Sequence, residues 1–355
     1  MWLWDSCFHA VVWGALGDAE RAVRELRTAL AGQDPLTGFV PHMAYHGAGP
    51  VEAADAAAFW GSAGADRVAR STITQPPMFG HAVAELVRRG IDVPEDLVDR
   101  SVAGLRFLMR RRRRGDAGLI ELVHPWESGC DDSPRWDDVV AGTWSVAAWH
   151  VTKGTLLGSI ERSPSGAPIG NAAFAIESVG FNALVAFNAL ELAGAIDDGP
   201  LAAGAEALVT AIDRRWEPAL ATWVDGGVTA EGSGRCRTLD SLLPLLVIPR
   251  PDAFAALADP TAFGAPYGPR GVHLAEAVHD PGSYWRGPAW PQLSYLLWLA
   301  AQRHGRHGLA ARIGRSTGAA ALMTGLAEYW DGDTGTGGGA TPQSWSALSL
   351  LMTPG

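Results

Sequence analysis

Apolar residues in this chain recur at helical spacing in consecutive pairs of segments, and the period-two alternation of a half-buried strand is almost absent. The pairs are Cys7–Leu16 with Asp18–Ala31, Pro76–Arg89 with Pro94–Arg114, and Ala172–Ala195 with Leu201–Trp216. Thr238–Val247 with Pro251–Ala258 and Pro288–Arg303 with Leu309–Tyr329 follow, and Ser344–Met352 closes the series. Asp5 or Ser6 is expected to cap the first, while Gly90 punctuates the third. No Ser/Gly/Pro-rich linker divides the 355 residues, so one domain over 1–355 is expected. Eleven helices in successive pairs, with loops of alternating length, predict an all-α (α/α)6 toroid. That architecture takes twelve, so the chain is expected to be N-terminally short, its first helix preceding Met1. Residues 34–71 and 260–282 read as long loops, the kind that carries function on a helical scaffold, and 260–282 is long enough for a lid.

Several functions are disfavoured at once. A net charge of −10 argues against nucleic acid or an anionic membrane as partner. The run Arg110–Arg114 then reads as the basic last turn of a helix. Three scattered cysteines suggest a reducing compartment, the N-terminus lacks a signal-peptide pattern, and no apolar run is expected to reach ~18–20 residues. A cytoplasmic location is the expectation. Lys153 is the only lysine, which removes a Walker A motif. His42 and His46 have the spacing of a zinc-protease helix, but Met43 stands where that motif needs glutamate. Gly335-Thr336-Gly337 follows a helix rather than a strand, a poor dinucleotide match.

The stretch between His124 and Asp138 holds Glu127, Asp131, Asp132, Asp137 and Asp138, interleaved with Trp126, Arg135 and Trp136. A solvated acidic loop has no need of tryptophan, and a core does not accept five ionised carboxylates. A concave site that grips a hydroxyl-rich ligand uses both. A tight loop in which Asp131 or Asp132 caps a short helix would use the same residues. A second cluster, Ser283–Pro291, carries three aromatics and Arg286 at a helix start, where packing is the plainer role. A third runs from Glu328-Tyr329-Trp330 to Gln343-Ser344-Trp345, with Glu328 expected at a helix C-terminus, against the dipole. Glycoside hydrolysis needs two carboxyl groups on either side of the scissile bond, and Asp131 and Glu328 fit that need.

With these segments the chain resembles glycoside hydrolase family 63, and within it the bacterial glucosylglycerate and mannosylglycerate hydrolases. The resemblance rests on Trp2-Leu3-Trp4-Asp5-Ser6, Thr74-Gln75-Pro76-Pro77, His124–Asp137 and Gly180-Phe181-Asn182-Ala183. It continues through Tyr284-Trp285-Arg286-Gly287-Pro288, Trp290-Pro291, Glu328-Tyr329-Trp330 and Gln343-Ser344-Trp345-Ser346, in the family's order over nearly the whole chain. It implies an inverting α-glycosidase that needs no metal or cofactor, with Asp131 as general acid and Glu328 as general base. Trp2, Trp4, Asp5, Gln75, Trp126 and Trp290 match positions lining the sugar pocket, and Tyr45 is a looser match through His42-Met43-Ala44-Tyr45. Tyr284 and Gln343 match positions near the glycerate or the attacking water, and Arg162 is the candidate for the glycerate carboxylate. A glucosidase of the same family acting on disaccharides or glycans, or an impaired carbohydrate-binding member, are the alternatives. No nucleic-acid or membrane partner is expected, and a homo-oligomer is left open.

Overall fold

The paired segments fold as alternating inner and outer members of a ring, in a computed structural model that describes residues 2–45 and 70–352. Among the described residues there are ten α-helices. In chain order they are α1 (Leu3–Ala15), α2 (Ala19–Leu30), α3 (Phe79–Arg88), α4 (Glu95–Arg111), α5 (Val146–Gly158), α6 (Val179–Ile196), α7 (Gly199–Asp213), α8 (Pro251–Ala258), α9 (Pro291–Arg303) and α10 (His307–Met323). Two of the expected helices are 3-10, Leu239–Leu246 and Ser344–Met352. In the first, Pro244 lies inside the turn and cannot donate an i→i−4 bond, which favours the tighter winding.

Going round the inner ring, α1 packs on α3, α3 on α6, α6 on Leu239–Leu246, that segment on α9, α9 on Ser344–Met352, and Ser344–Met352 back on α1. Helices α2, α4, α7, α8 and α10 back these members from outside. The result is an (α/α)6 barrel whose inner ring of six members closes within the described residues. One continuous apolar cluster runs from Leu3 to Met352. Helix α6 is apolar on every side, as a member of the buried ring should be. By length and composition it could cross a membrane, which corrects the expectation of no such run, but most of it is buried inside the protein. Its Asn182 is spent on a neighbouring chain segment, accepting from the Ile120 amide (2.8 Å) and donating to the Ile120 carbonyl (2.9 Å).

Three boundaries differ from the sequence expectation in ways that matter for the site. Helix α1 starts at Leu3, whose amide donates to the His42 carbonyl (2.8 Å), so Asp5 lies in the first turn and caps nothing. Helix α10 stops at Met323, where Gly325 and Leu326 both take positive φ and the Leu326 amide returns to the Ala321 carbonyl (2.8 Å). Glu328 therefore lies beyond the helix, beside a hairpin in which Tyr329 pairs with Gly338 and Trp330 with Gly337, and the dipole argument does not reach it. Helix α5 was not foreseen; only Trp149, Lys153 and Leu156 of it are buried.

The arginine run is only partly a helix end. Arg112 is fully buried and makes a two-pronged pair with Glu127, while the Arg114 guanidinium donates to the carbonyls of Met109 and Gly118. Much of 260–282 is likewise built into the body. Arg270 is buried, donates to the carbonyls of Pro260, Ala262 and Gly264, and pairs with Asp333. That anchoring does not suit a lid. His42 is buried, with burial lowering its pKa to about 3, and its Nδ1 lies 2.5 Å from the Ser71 hydroxyl. His46, the other half of the zinc-spaced pair, lies outside the described residues.

Candidate active site

A cavity of about 270 Å³ opens at one end of the barrel, lined by Trp2, Trp4, Asp5, Gln75, Gly129, Asp131, Tyr284, Trp285, Glu328, Gln343 and Trp345. The volume sits just under the ~300–1,000 Å³ usual for small-molecule sites. Four tryptophans wall it, and three carboxylates from three distant parts of the chain face into it.

Asp131 arrives on a short loop. The 3-10 turn Pro125–Ser128 ends at Gly129, whose φ of 72° suits glycine. A Cβ there would sit 2.7 Å from the Trp4 indole, so the same residue lets the loop turn and lets Trp4 lie against it. The Ser128 hydroxyl accepts from the Cys130 amide (2.9 Å), and the Trp136 indole donates to the Cys130 carbonyl (2.9 Å). Ser133, rather than either aspartate, caps the next 3-10 turn, Pro134–Val139.

The neighbouring carboxylates are each given a partner. Glu127 takes both Nη atoms of Arg112 (3.0 and 2.6 Å) and the amides of Thr74 and Val123. Asp132 accepts from Lys153 (2.7 Å), and Asp137 from both Nη atoms of Arg286 (2.8 Å each). Arg135 turns away into the core, where it meets Asp225 (2.7 Å) and Asp240. Among the described residues Asp131 alone of this group has a carboxyl without a hydrogen bond or ion pair. Burial, then repulsion by Asp132, raises its pKa to about 8; Lys153 opposes the shift, while Asp5 and Glu328 add to it. Burial also raises Asp5 to about 6, with His9 opposing.

Glu328 is built differently. Its Oε1 accepts from the Tyr284 hydroxyl (2.9 Å) and its Oε2 from the Ala340 amide (2.9 Å), and among the described residues no cation pairs with either oxygen. The hairpin holds its backbone, because the Glu328 amide donates to Ala340 O (2.9 Å) and the Trp345 indole donates to Glu328 O (3.0 Å). Gly339, at φ 72°, leaves room for the carboxyl; a Cβ there would come within 2.3 Å of Oε2. Nearby, the Gln343 Oε1 accepts from the Ser344 amide (2.6 Å), and Gln75 Oε1 accepts from the Trp4 amide (3.5 Å).

Of the residues expected from the sequence, Trp2, Trp4, Asp5, Gln75, Asp131, Tyr284, Glu328 and Gln343 line the cavity. Four do not. Trp290 is fully buried behind Trp285, with the two rings parallel at 3.6 Å. Trp285 takes φ 60° and presents the cavity face instead. Trp126 packs with Ile73, Val123 and Ile160 in a separate small cluster, its ring 4.3 Å from that of His124. Arg162 donates to the carbonyl and hydroxyl of Thr72 (3.0 Å each), and Tyr45 is buried outside the lining. Trp345, Trp285 and Gly129 were missed, although each sits inside a motif already singled out.

The sequence family described as mannosylglycerate hydrolase MGH1-like glycoside hydrolase domain matches residues 1–346. The chain belongs to that family. Members of known activity align along its length. A mannosylglycerate hydrolase of Thermus thermophilus is 28% identical, covering 99% of this chain and 94% of its own. A glucosylglycerate hydrolase of Mycolicibacterium hassiacum is 29% identical, covering 99% and 91%. A crystal structure of a family 63 mannosylglycerate hydrolase from Thermus thermophilus, in complex with Tris and D-glycerate, superposes with a TM-score of 0.83 at 26% identity, over 99% of this chain and 92% of that one. Membership of this glycoside hydrolase family makes the chain an O-glycosyl hydrolase with an (α/α)6 barrel.

Proposed function

We propose that the cavity hydrolyses a small α-glycoside of glycerate, a mannosyl or glucosyl glycerate, with inversion at the anomeric carbon. The observation that carries the reading is that one tryptophan-walled hollow holds two carboxyls built differently. Asp131 has, among the described residues, no hydrogen bond or ion pair on its carboxyl and a pKa pushed up to about 8, and Glu328 accepts from the Tyr284 hydroxyl and the Ala340 amide. Asp131 gives its proton to the glycosidic oxygen as the bond from that oxygen to C1 breaks. Glu328 takes a proton from a water whose oxygen bonds C1 from the opposite face. The products are the free sugar and glycerate, and a proton passes through solvent from Glu328 back to Asp131. The cavity's size supports one sugar ring with a short acid in preference to a glycan. Trp2, Trp4, Trp285 and Trp345 would stack on the ring, while Asp5 and Gln75 would take its hydroxyls. The relatives' mannosyl- and glucosylglycerate activities support the substrate class.

The test is to incubate the purified protein with each glycoside and follow the products by proton NMR. The β-anomer of the free sugar is expected first. An α-anomer as the first product would refute inversion, and failure to release sugar from either glycoside would refute the substrate class.

A further inference from the structure

We infer that the Asp132–Lys153 ion pair, fastened to the loop by Trp149, is a positioning and tuning device for Asp131 in the reaction proposed above. Lys153 is the chain's sole lysine, and its side chain is only 10% exposed. It lies on α5, outside the barrel ring, on a helix whose buried residues are just Trp149, Lys153 and Leu156, at i, i+4 and i+7. Both polar members of that stripe go to Asp132, and Trp149 reaches Asp131 as well. Lys153 Nζ donates to Asp132 Oδ1 (2.7 Å), and the Trp149 indole donates to Asp132 Oδ1 (2.9 Å) and to the Asp131 carbonyl (3.2 Å). The ammonium is further enclosed by indoles, 5.5 Å from the Trp126 ring and 5.7 Å from that of Trp149.

Stability is a poor reason for burying a lone lysine, because desolvation offsets most of what such a pair gains. Its placement has a better one. Asp131 is faced by Asp132 on its own loop, Lys153 from α5, Asp5 from α1, and Glu328 and Tyr284 from the far wall. Only Lys153 among them is cationic. Asp132 alone would push the Asp131 proton on, Lys153 alone would pull it off, and the pair holds the two influences at a fixed separation.

The claim depends on Asp131 acting as the acid, so Asp131→Ala is run alongside. Retained turnover in that variant would refute the proposed reaction; its loss lets the remaining variants test the pair. The readout is the alkaline limb of kcat/KM against pH, which reports the acid of the free enzyme. Lys153→Met is expected to move that limb up by roughly one pH unit, and Asp132→Asn down by a similar amount. The double variant should return close to the parent, and Lys153→Arg should match it. Asp132→Asn reads the claim alone if Lys153→Met fails to fold. A limb that stays put in a folded single variant, or moves the same way in both, would overturn the inference.

Discussion

The loop that carries Asp131 and the hairpin that carries Glu328 face the same cavity, yet they are stabilised by opposite means. The loop is crowded with charge. Its neighbouring carboxylates are neutralised by Arg112, Lys153 and Arg286, and the one left without a partner is Asp131, whose pKa burial and Asp132 push up to about 8. Glu328 is met instead by neutral donors, the Tyr284 hydroxyl from the segment before α9 and the hairpin's own Ala340 amide. A carboxyl becomes an acid when cations are withheld from it, and a base when donors are aimed at its anion. One fold can therefore run both halves of a hydrolysis near neutral pH.

The largest expected effect separates the two roles. Asp131→Asn and Glu328→Gln should each lower kcat on a glycerate glycoside by about 10³-fold or more, somewhere within or beyond the range usual for losing an acid or base. A substrate whose leaving group departs as a stable anion needs no proton from the enzyme. Such a substrate should recover much of the activity of Asp131→Asn and little of that of Glu328→Gln. Equal recovery, or recovery only in Glu328→Gln, would reverse or erase the assignment.

The second effect tests whether the loop's charges are structural. Arg112 and Glu127 are both fully buried, and Glu127 also holds the Thr74 amide next to Gln75. Removing one partner leaves an uncompensated buried charge. Arg112→Met should thus cost about 3–5 kcal/mol in urea unfolding. Glu328 has no counterpart, since among the described residues no cation pairs with it, and the hairpin's Asp333–Arg270 pair is 42% exposed at the aspartate. A cost below about 1 kcal/mol would mean that the pair does not hold the loop.

How much of this could be read in the sequence follows the same division. The ring was legible because its members are long apolar segments at helical spacing, and the cavity-facing carboxylates were legible because they sit in family motifs. What failed was orientation. Trp285 and Trp290 lie in one motif, and only the positive φ of Trp285 decides which ring meets the cavity. Trp126 stood beside Glu127 at the head of the acidic stretch yet turned to a separate cluster with Ile73 and Ile160. Helix α5 went unseen because its buried stripe includes a lysine, which a search for apolar periodicity passes over. The end of α10 was signalled by Gly325, but the following Leu326 at φ 64° was not foreseeable from residue type.

The smallest expected effect concerns the energy stored in keeping Asp131 neutral. Its pKa rises from 3.8 unfolded to about 8 folded, so the native state binds more protons than the unfolded chain throughout that interval. Stability from this group is complete below pH 3.8 and falls as pH climbs toward 8, because the unfolded chain ionises freely while the native carboxyl cannot. Asn at the same position removes the dependence while keeping the shape. Asp131→Asn should accordingly melt close to the parent near pH ~4 and a few degrees above it near pH ~8.5. The hairpin gives the control, because Glu328 already has hydrogen bonds on both carboxylate oxygens, and Glu328→Gln keeps one acceptor oxygen and replaces the other with a donor, so it cannot accept from both the Tyr284 hydroxyl and the Ala340 amide. That variant should gain nothing at alkaline pH. If both variants gained alike, the contrast between a carboxyl left without a partner on a charged loop and one met by neutral donors would fail.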